Sequence, residues 1–237
     1  MINGGFVCLS MSPAVRGAVQ SRILVNYRVG LDALDTVLTE PFRAREVGET
    51  GKGLGTVCIT TVEDARPGFV PVSVGVSIEM VTHRVYARVE GGGEHCVYVP
   101  WRGVSSGFQA FLLGSLLPTE FDRADFRKEK TDTARRIRVD CGVDLVGVAF
   151  YETDREDVND DSVFYSVESA STFLCEAGVE YSMTGDVYTG VETCPERADL
   201  EPVEVADVRS KYFGKLGCEF DSAFRMADVE HAWKPRR

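Results

Sequence analysis

Residues Ile23–Val47 read ILVNYRVGLDALDTVLTEPFRAREV, and the order of patterns within them sets the fold class. A β-rich run opens the segment. Leu31, Leu34, Val37 and Leu38 then share one face of a short helix over 31–39, and Pro41 stands just beyond its end. An E-P turn follows. Strand, short helix and turn in this order open a domain in which strands dominate.

The rest of the chain agrees. Ile137 to Leu145 alternates apolar and polar residues, the pattern of a half-buried strand. Val85–Val89 and Cys96–Trp101 flank Glu90-Gly-Gly-Gly-Glu94, a hairpin whose glycines permit positive φ. Further strands are expected over 22–29, 56–62, 72–82, 146–151, 162–166, 186–191, 201–209 and 223–230. A second helix is expected over 107–117 before Pro118. A third is expected over 167–177, with Ser166 as N-cap and Gly178 at its end. Thr153 to Asp161 reads as an acidic loop. The class is α+β, predominantly antiparallel β with about three short helices and no internal repeat.

The 237 residues are enough to bury a sizeable core. No stretch reaches the roughly 18 apolar residues of a membrane span, and the first residues carry no Lys or Arg ahead of an apolar run, which argues against a signal peptide. The expected location is cytoplasmic, with no membrane partner. The net charge of −11 argues against nucleic acid as a partner. Positive charge is carried by 20 Arg and 6 Lys against 37 acids. That balance fits a halophile-like surface as well as it fits a GC-rich genome with ordinary acidity. The seven cysteines include no C-x-x-C and no His at ligand spacing, so neither a metal nor another cofactor is expected, and the thiols read as reduced and mostly buried.

Three glycine-rich stretches invite a functional reading, and none supports one strongly. In Gly48–Thr56 a lysine, Lys52, is followed by Gly53 and then a β-rich run, whereas a phosphate loop needs G-K-[ST] and a helix. The strand from Ile78 to Val89 is more informative. Alternation places Glu79, Val81, His83, Val85, Ala87 and Val89 on one face and Met80, Thr82, Arg84, Tyr86 and Arg88 on the other. A carboxylate and an imidazole among apolar neighbours suit acid–base chemistry. They stand four residues apart, roughly 13 Å along a strand, so they cannot bond each other directly. The simpler reading leaves Glu79 at a wet strand end and His83 satisfied in the core. His231 and Trp233 read as structural, and His95 as exposed beyond the glycine turn.

The run Ile23–Val47 resembles the N-terminal part of the acetoacetate decarboxylase superfamily. From Asp221, DSAFRMADVEHAWKP looks more like one offshoot, the uncharacterised group called domain of unknown function 2071. The resemblance implies a closed or double β-barrel with a cavity, residues 1–20 as a variable N-terminal segment (with Met11 as an alternative start) and 21–237 as a single domain. It also implies a cavity carboxylate, loosely matched by Glu79, and an arginine shortly before Tyr27-Arg28. The strict register of that arginine falls on Gln20, but Arg22, two positions on, keeps the same face.

The superfamily's Schiff-base lysine is expected in the region of Gly114–Phe126, GSLLPTEFDRADF, which contains no lysine. Arginine cannot replace it, because the guanidinium stays protonated. Lys128 and Lys130 follow among charges, in an expected hairpin turn without the apolar pocket that activates a lysine. The resulting expectation is a cavity that binds a small molecule, a carboxylate-bearing one among the options, through Arg22, Glu79, Arg84 and Tyr86, with no catalytic residue assigned. A filled barrel serving as an interaction or scaffold protein is the alternative. Oligomeric state is left open.

Overall fold

The structure, a computed structural model, describes residues 14–142, 144–151, 157–195 and 199–236. Its elements in chain order are β1 (Val15–Gly30), α1 (Leu31–Asp35), β2 (Phe42–Ala44), β3 (Lys52–Pro67), a 3-10 turn (Val72–Val74), β4 (Val76–Val89), β5 (His95–Val104), α2 (Gly107–Leu116), β6 (Asp122–Arg123), β7 (Asp125–Lys130), β8 (Ala134–Asp140), β9 (Leu145–Tyr151), α3 (Val167–Glu176), β10 (Val179–Thr184), β11 (Val187–Pro195), β12 (Glu201–Pro202), β13 (Glu204–Arg209), α4 (Lys211–Lys215), β14 (Glu219–Met226) and β15 (Val229–Arg236).

Seven strands close on themselves in the order β1–β3–β4–β5–β10–β11–β15, and β15 returns to β1. All pairs in this ring are antiparallel except β5 with β10. The closure matters for function because it gives the sheet an inside. A second sheet, β13–β9–β8–β7, covers part of the outside.

Strands β1, β3 and β4 are therefore buried on both faces, and alternation sorts their side chains between two cores. On β4, Met80 and Tyr86 enter the ring interior, with α2 and α3 closing over it. Val81, Val85 and Ala87 face the other way, against Ile137, Val146 and Phe150 of the second sheet. On β1 the inward positions change parity, from Val19 to Leu24, and a register shift between Val19 and Ser21 supplies the extra residue.

Expected and observed boundaries differ where a turn hides inside an alternating run. Ile137–Leu145 is not one strand: β8 ends at Asp140, Gly142 takes φ +73°, and Asp144 turns inward to accept hydrogen bonds. The strand expected over 223–230 is split between β14 and β15 by Asp228 at φ +55°. No strand forms over 162–166, because Asp221 accepts from Ser162 Oγ and Val163 N at 2.8 Å each and pins the segment as a loop. The first helix stops at Asp35, whose carboxylate accepts from the Ala44 N–H at 2.7 Å. β1 starts at Val15, ahead of the strand expected from 22, and a fourth helix, α4, precedes β14. The Glu90–Glu94 hairpin forms as expected, with positive φ at Gly91 and Gly93. Lys128 and Lys130 lie on β7 rather than in a turn. The acidic loop expected over 153–161 falls partly outside the described residues.

Among the described residues no helix is long and apolar enough to cross a membrane. Among the described residues Cys58, Cys96, Cys175 and Cys218 form no disulfide; Cys58 and Cys96 are buried, as is Cys141, whose thiol donates to the Asp144 carbonyl at 3.2 Å.

Candidate functional site: a buried arginine cavity

Inside the ring, lined by side chains of β1, β4, β10 and β15 among others, lies a cavity of about 40 Å³. One water needs roughly 10–15 Å³, so this space exceeds that of a single water. Arg22, Arg84, Tyr86, Glu180, Thr193 and His231 supply its polar lining, and exposed Cys175 stands at its rim.

Glu180 organises the charge. It is 3% exposed, yet Arg84 Nη2 donates to one carboxylate oxygen at 2.6 Å and Arg102 Nη1 donates to the other at 2.7 Å. Burial pushes this carboxyl up, but Arg84 and Arg102 outweigh it and hold it at about 2. Strand pairing explains the meeting. Arg102 lies opposite Thr82 on β4, two residues from Arg84 on the same face, and Glu180 pairs with Val97 on β5.

Arg22 is the charge left over. It is 5% exposed and has no carboxylate partner among the described residues; its nearest polar contact is the Met226 sulfur at 4.0 Å, and its Nε is unpaired. Burial lowers the guanidinium's pKa and Arg84 lowers it further, although arginine remains protonated at any physiological pH. Three guanidiniums against one carboxylate leave the site cationic.

His231 faces the same space. Both ring nitrogens are buried without a hydrogen-bond partner, and the ring lies 4.5 Å from that of Trp233. Burial, followed by the Arg22 charge, drives its pKa down to about 2, so the imidazole is neutral and offers one donor and one acceptor. Burial raises the Tyr86 phenol, which stays protonated. None of the residues lining the cavity is a lysine.

Of the residues the sequence singled out, Arg22, Arg84 and Tyr86 come together here. Glu79 does not. It sits on the opposite face of β4, 34% exposed in its side chain, and Lys128 Nζ pairs with it at 2.6 Å. His83, on that same outer face, is fully buried and bonds Asp144 at 2.8 Å. Asp144 also accepts from Ser210 Oγ at 2.7 Å and from the Lys211 N–H at 2.6 Å, which seats α4. That pair joins the ring to α4 and the second sheet and does not line the arginine cavity.

Sequence reading missed Glu180, Arg102 and the place of His231. β10 was not expected as a strand, so Glu180 had no face. The expected strand stopped at Trp101, one residue short of Arg102. The usable signal was two arginines with inward parity on neighbouring strands, which requires a buried carboxylate nearby.

No protein-family model matches the chain, and no curated protein matches it. The nearer resemblance of its C-terminal run to domain of unknown function 2071 therefore has no match behind it. Solved structures do match. Acetoacetate decarboxylase from Legionella pneumophila is similar with a TM-score of 0.63 at 10% identity, over 98% of this chain and 93% of that one. The enduracididine biosynthesis enzyme MppR, complexed with pyruvate, gives 0.60 at 12% identity over 98% and 93%. An acetoacetate decarboxylase-like enzyme from Sphingomonas wittichii gives 0.53 at 8% over 98% and 99%. At these identities the likeness is one of fold: the chain has an acetoacetate decarboxylase-like fold.

Proposed function

We propose that this protein binds a small carboxylate-bearing molecule in the arginine cavity and does not use Schiff-base chemistry. The observation that carries this reading is Arg22, a buried guanidinium facing a cavity with no carboxylate bonded to it among the described residues, since Glu180, which attracts it across the same space, is already engaged by Arg84 and Arg102. An isolated buried charge is costly, and a bound carboxylate supplies the missing partner with charge-assisted hydrogen bonds. Neutral His231 adds a donor and an acceptor for a second oxygen. The pyruvate bound by MppR, a protein of the same fold, fits a ligand of this kind.

Imine formation needs an amine that can lose its proton. The lining contains none, and Lys128 is engaged at the surface with Glu79 and Thr61. Acid–base chemistry on a bound acid is left to Tyr86, Cys175 and His231, each of which burial holds neutral at pH 7.

Titration calorimetry with acetate and pyruvate, against acetamide as the neutral isostere and in chloride-free buffer, tests the reading. The acids are expected to bind and acetamide not. Arg22→Met is expected to weaken acid binding at least about tenfold, since charged hydrogen bonds are worth about 1.5–3 kcal/mol. Equal binding of acid and amide, or an unchanged Arg22→Met variant, would sink it.

A second reading, an interaction protein, has one observation in its favour. Phe69, Phe108 and Phe111 are 84%, 66% and 73% exposed, and Gln109 Nε2 donates to the Ser77 carbonyl, tying α2 to the start of β4. That reading predicts self-association in light scattering that Phe108→Ser with Phe111→Ser abolishes; a monomer before and after the change counts against it.

A further inference from the structure

A second cavity of about 20 Å³ lies further along the ring interior, toward α2. Val62, Ile78, Met80, Leu113 and Trp233 line it, and Arg102 is its polar residue. The two cavities are neighbours by two bridges. Arg102 lines the apolar one and bonds Glu180, which lines the polar one, at 2.7 Å. Trp233 and His231 do the same from β15: two residues apart on one face, roughly 7 Å along the strand, their rings are 4.5 Å apart.

Water is a poor occupant of the apolar cavity. A buried water needs two to four polar partners, and the side chains lining the space offer only the Arg102 guanidinium and the Trp233 indole N–H, with no acceptor. A separate ligand is equally poorly served, because the space is about half that of the arginine cavity. Arg102 itself has spare capacity: it is 5% exposed, and its Nε and Nη2 have no partner. A group entering from the polar side therefore passes donors first and apolar surface afterwards.

We propose that the ligand class is monocarboxylic acids with a short aliphatic tail, the carboxylate held at Arg22 and His231 and the tail lying past the Arg102–Glu180 pair against Met80 and Trp233. This rests on the carboxylate reading above and deepens it. Ring closure makes such selection possible, because both cavities lie inside one closed ring and Leu113 and Leu117 of the α2 region bound the apolar one.

The test is a calorimetric series of acetate, butanoate, hexanoate and octanoate on the full chain. Each methylene that enters the apolar cavity is expected to tighten binding roughly fourfold, the ~0.8 kcal/mol of one buried CH₂ converted at ~1.4 kcal/mol per tenfold. The gain is expected to end by octanoate, where the slot is full. Ala65→Leu, which fills the apolar cavity from β3, should flatten the series, with acetate, too short to reach it, as internal reference. Met80→Ala, which enlarges it, should move the optimum to a longer chain and keeps the test open if Ala65→Leu does not fold. If acetate binds but affinity is flat with chain length, or neither variant moves the series, the tail site is overturned and the carboxylate site stands. If no acid binds, the carboxylate reading itself fails.

Discussion

Glu180→Gln is the sharpest perturbation of the arginine cavity. The substitution keeps shape and one acceptor but removes the negative charge from among Arg22, Arg84 and Arg102. Two estimates of the cost agree. The drop of the Glu180 pKa from 4.5 to about 2, at ~1.4 kcal/mol per pH unit, is worth about 3 kcal/mol. Removing one partner of a buried ion pair costs about 3–5 kcal/mol, and the 3% exposure of Glu180 leaves little solvent screening to discount. Urea unfolding at pH 7 should therefore show the variant about 3–4 kcal/mol less stable. The pH dependence is more discriminating. A carboxyl with a depressed folded-state pKa contributes its stability above the unfolded value and loses it as pH falls through the folded one. The difference between wild type and variant should be flat above pH ~5, shrink from about 4.5 downward and vanish near 2, where Glu180 is itself protonated. A loss under about 1 kcal/mol at pH 7, or a difference that persists undiminished toward pH 2, would refute the claim that ionised Glu180 holds the arginines together.

Three further outcomes are expected. Glu79→Gln, which removes the partly exposed ion pair with Lys128, should cost less than about 1 kcal/mol and leave acid binding unchanged in calorimetry. His231 is neutral in the fold and protonates in the unfolded chain from its ordinary 6.5 downward, so wild-type stability should fall as pH drops below 6.5. In His231→Phe that slope should weaken, measured as unfolding free energy between pH 7 and 5. Gly55→Ala places a Cβ against the buried Phe213 ring, which also stacks on Tyr27 at 5.1 Å. Overpacking of this kind costs about 1–3 kcal/mol, read as a lower urea midpoint without loss of acid binding.

Alternation along the Ile78–Val89 run was enough to put Arg84 and Tyr86 on one face and His83 with Glu79 on the other, because strand geometry has a period of two and the run is unbroken. The same logic does not account for Arg22: the register shift between Val19 and Ser21 falls inside the offset from Gln20, which is exposed while Arg22 is buried. It failed at Ile137–Leu145 and at 223–230, where a single left-handed residue, Gly142 or Asp228, reverses the chain without interrupting the apolar pattern. It failed again at Glu180, whose strand is six residues long and follows a helix directly.

The sequence alone therefore determined the strand-rich class, most helix positions, the division of the β4 side chains between two faces and the absence of a lysine in the Gly114–Phe126 segment. These are local properties: periodicity, turn chemistry and residue identity within a short stretch. Which faces meet was decided by ring closure, since Arg22, Arg84, Glu180 and His231 come from four strands and share a cavity only when the last strand pairs with the first. The surplus of positive charge in that cavity is a sum over distant residues, and no single segment of the chain contains it.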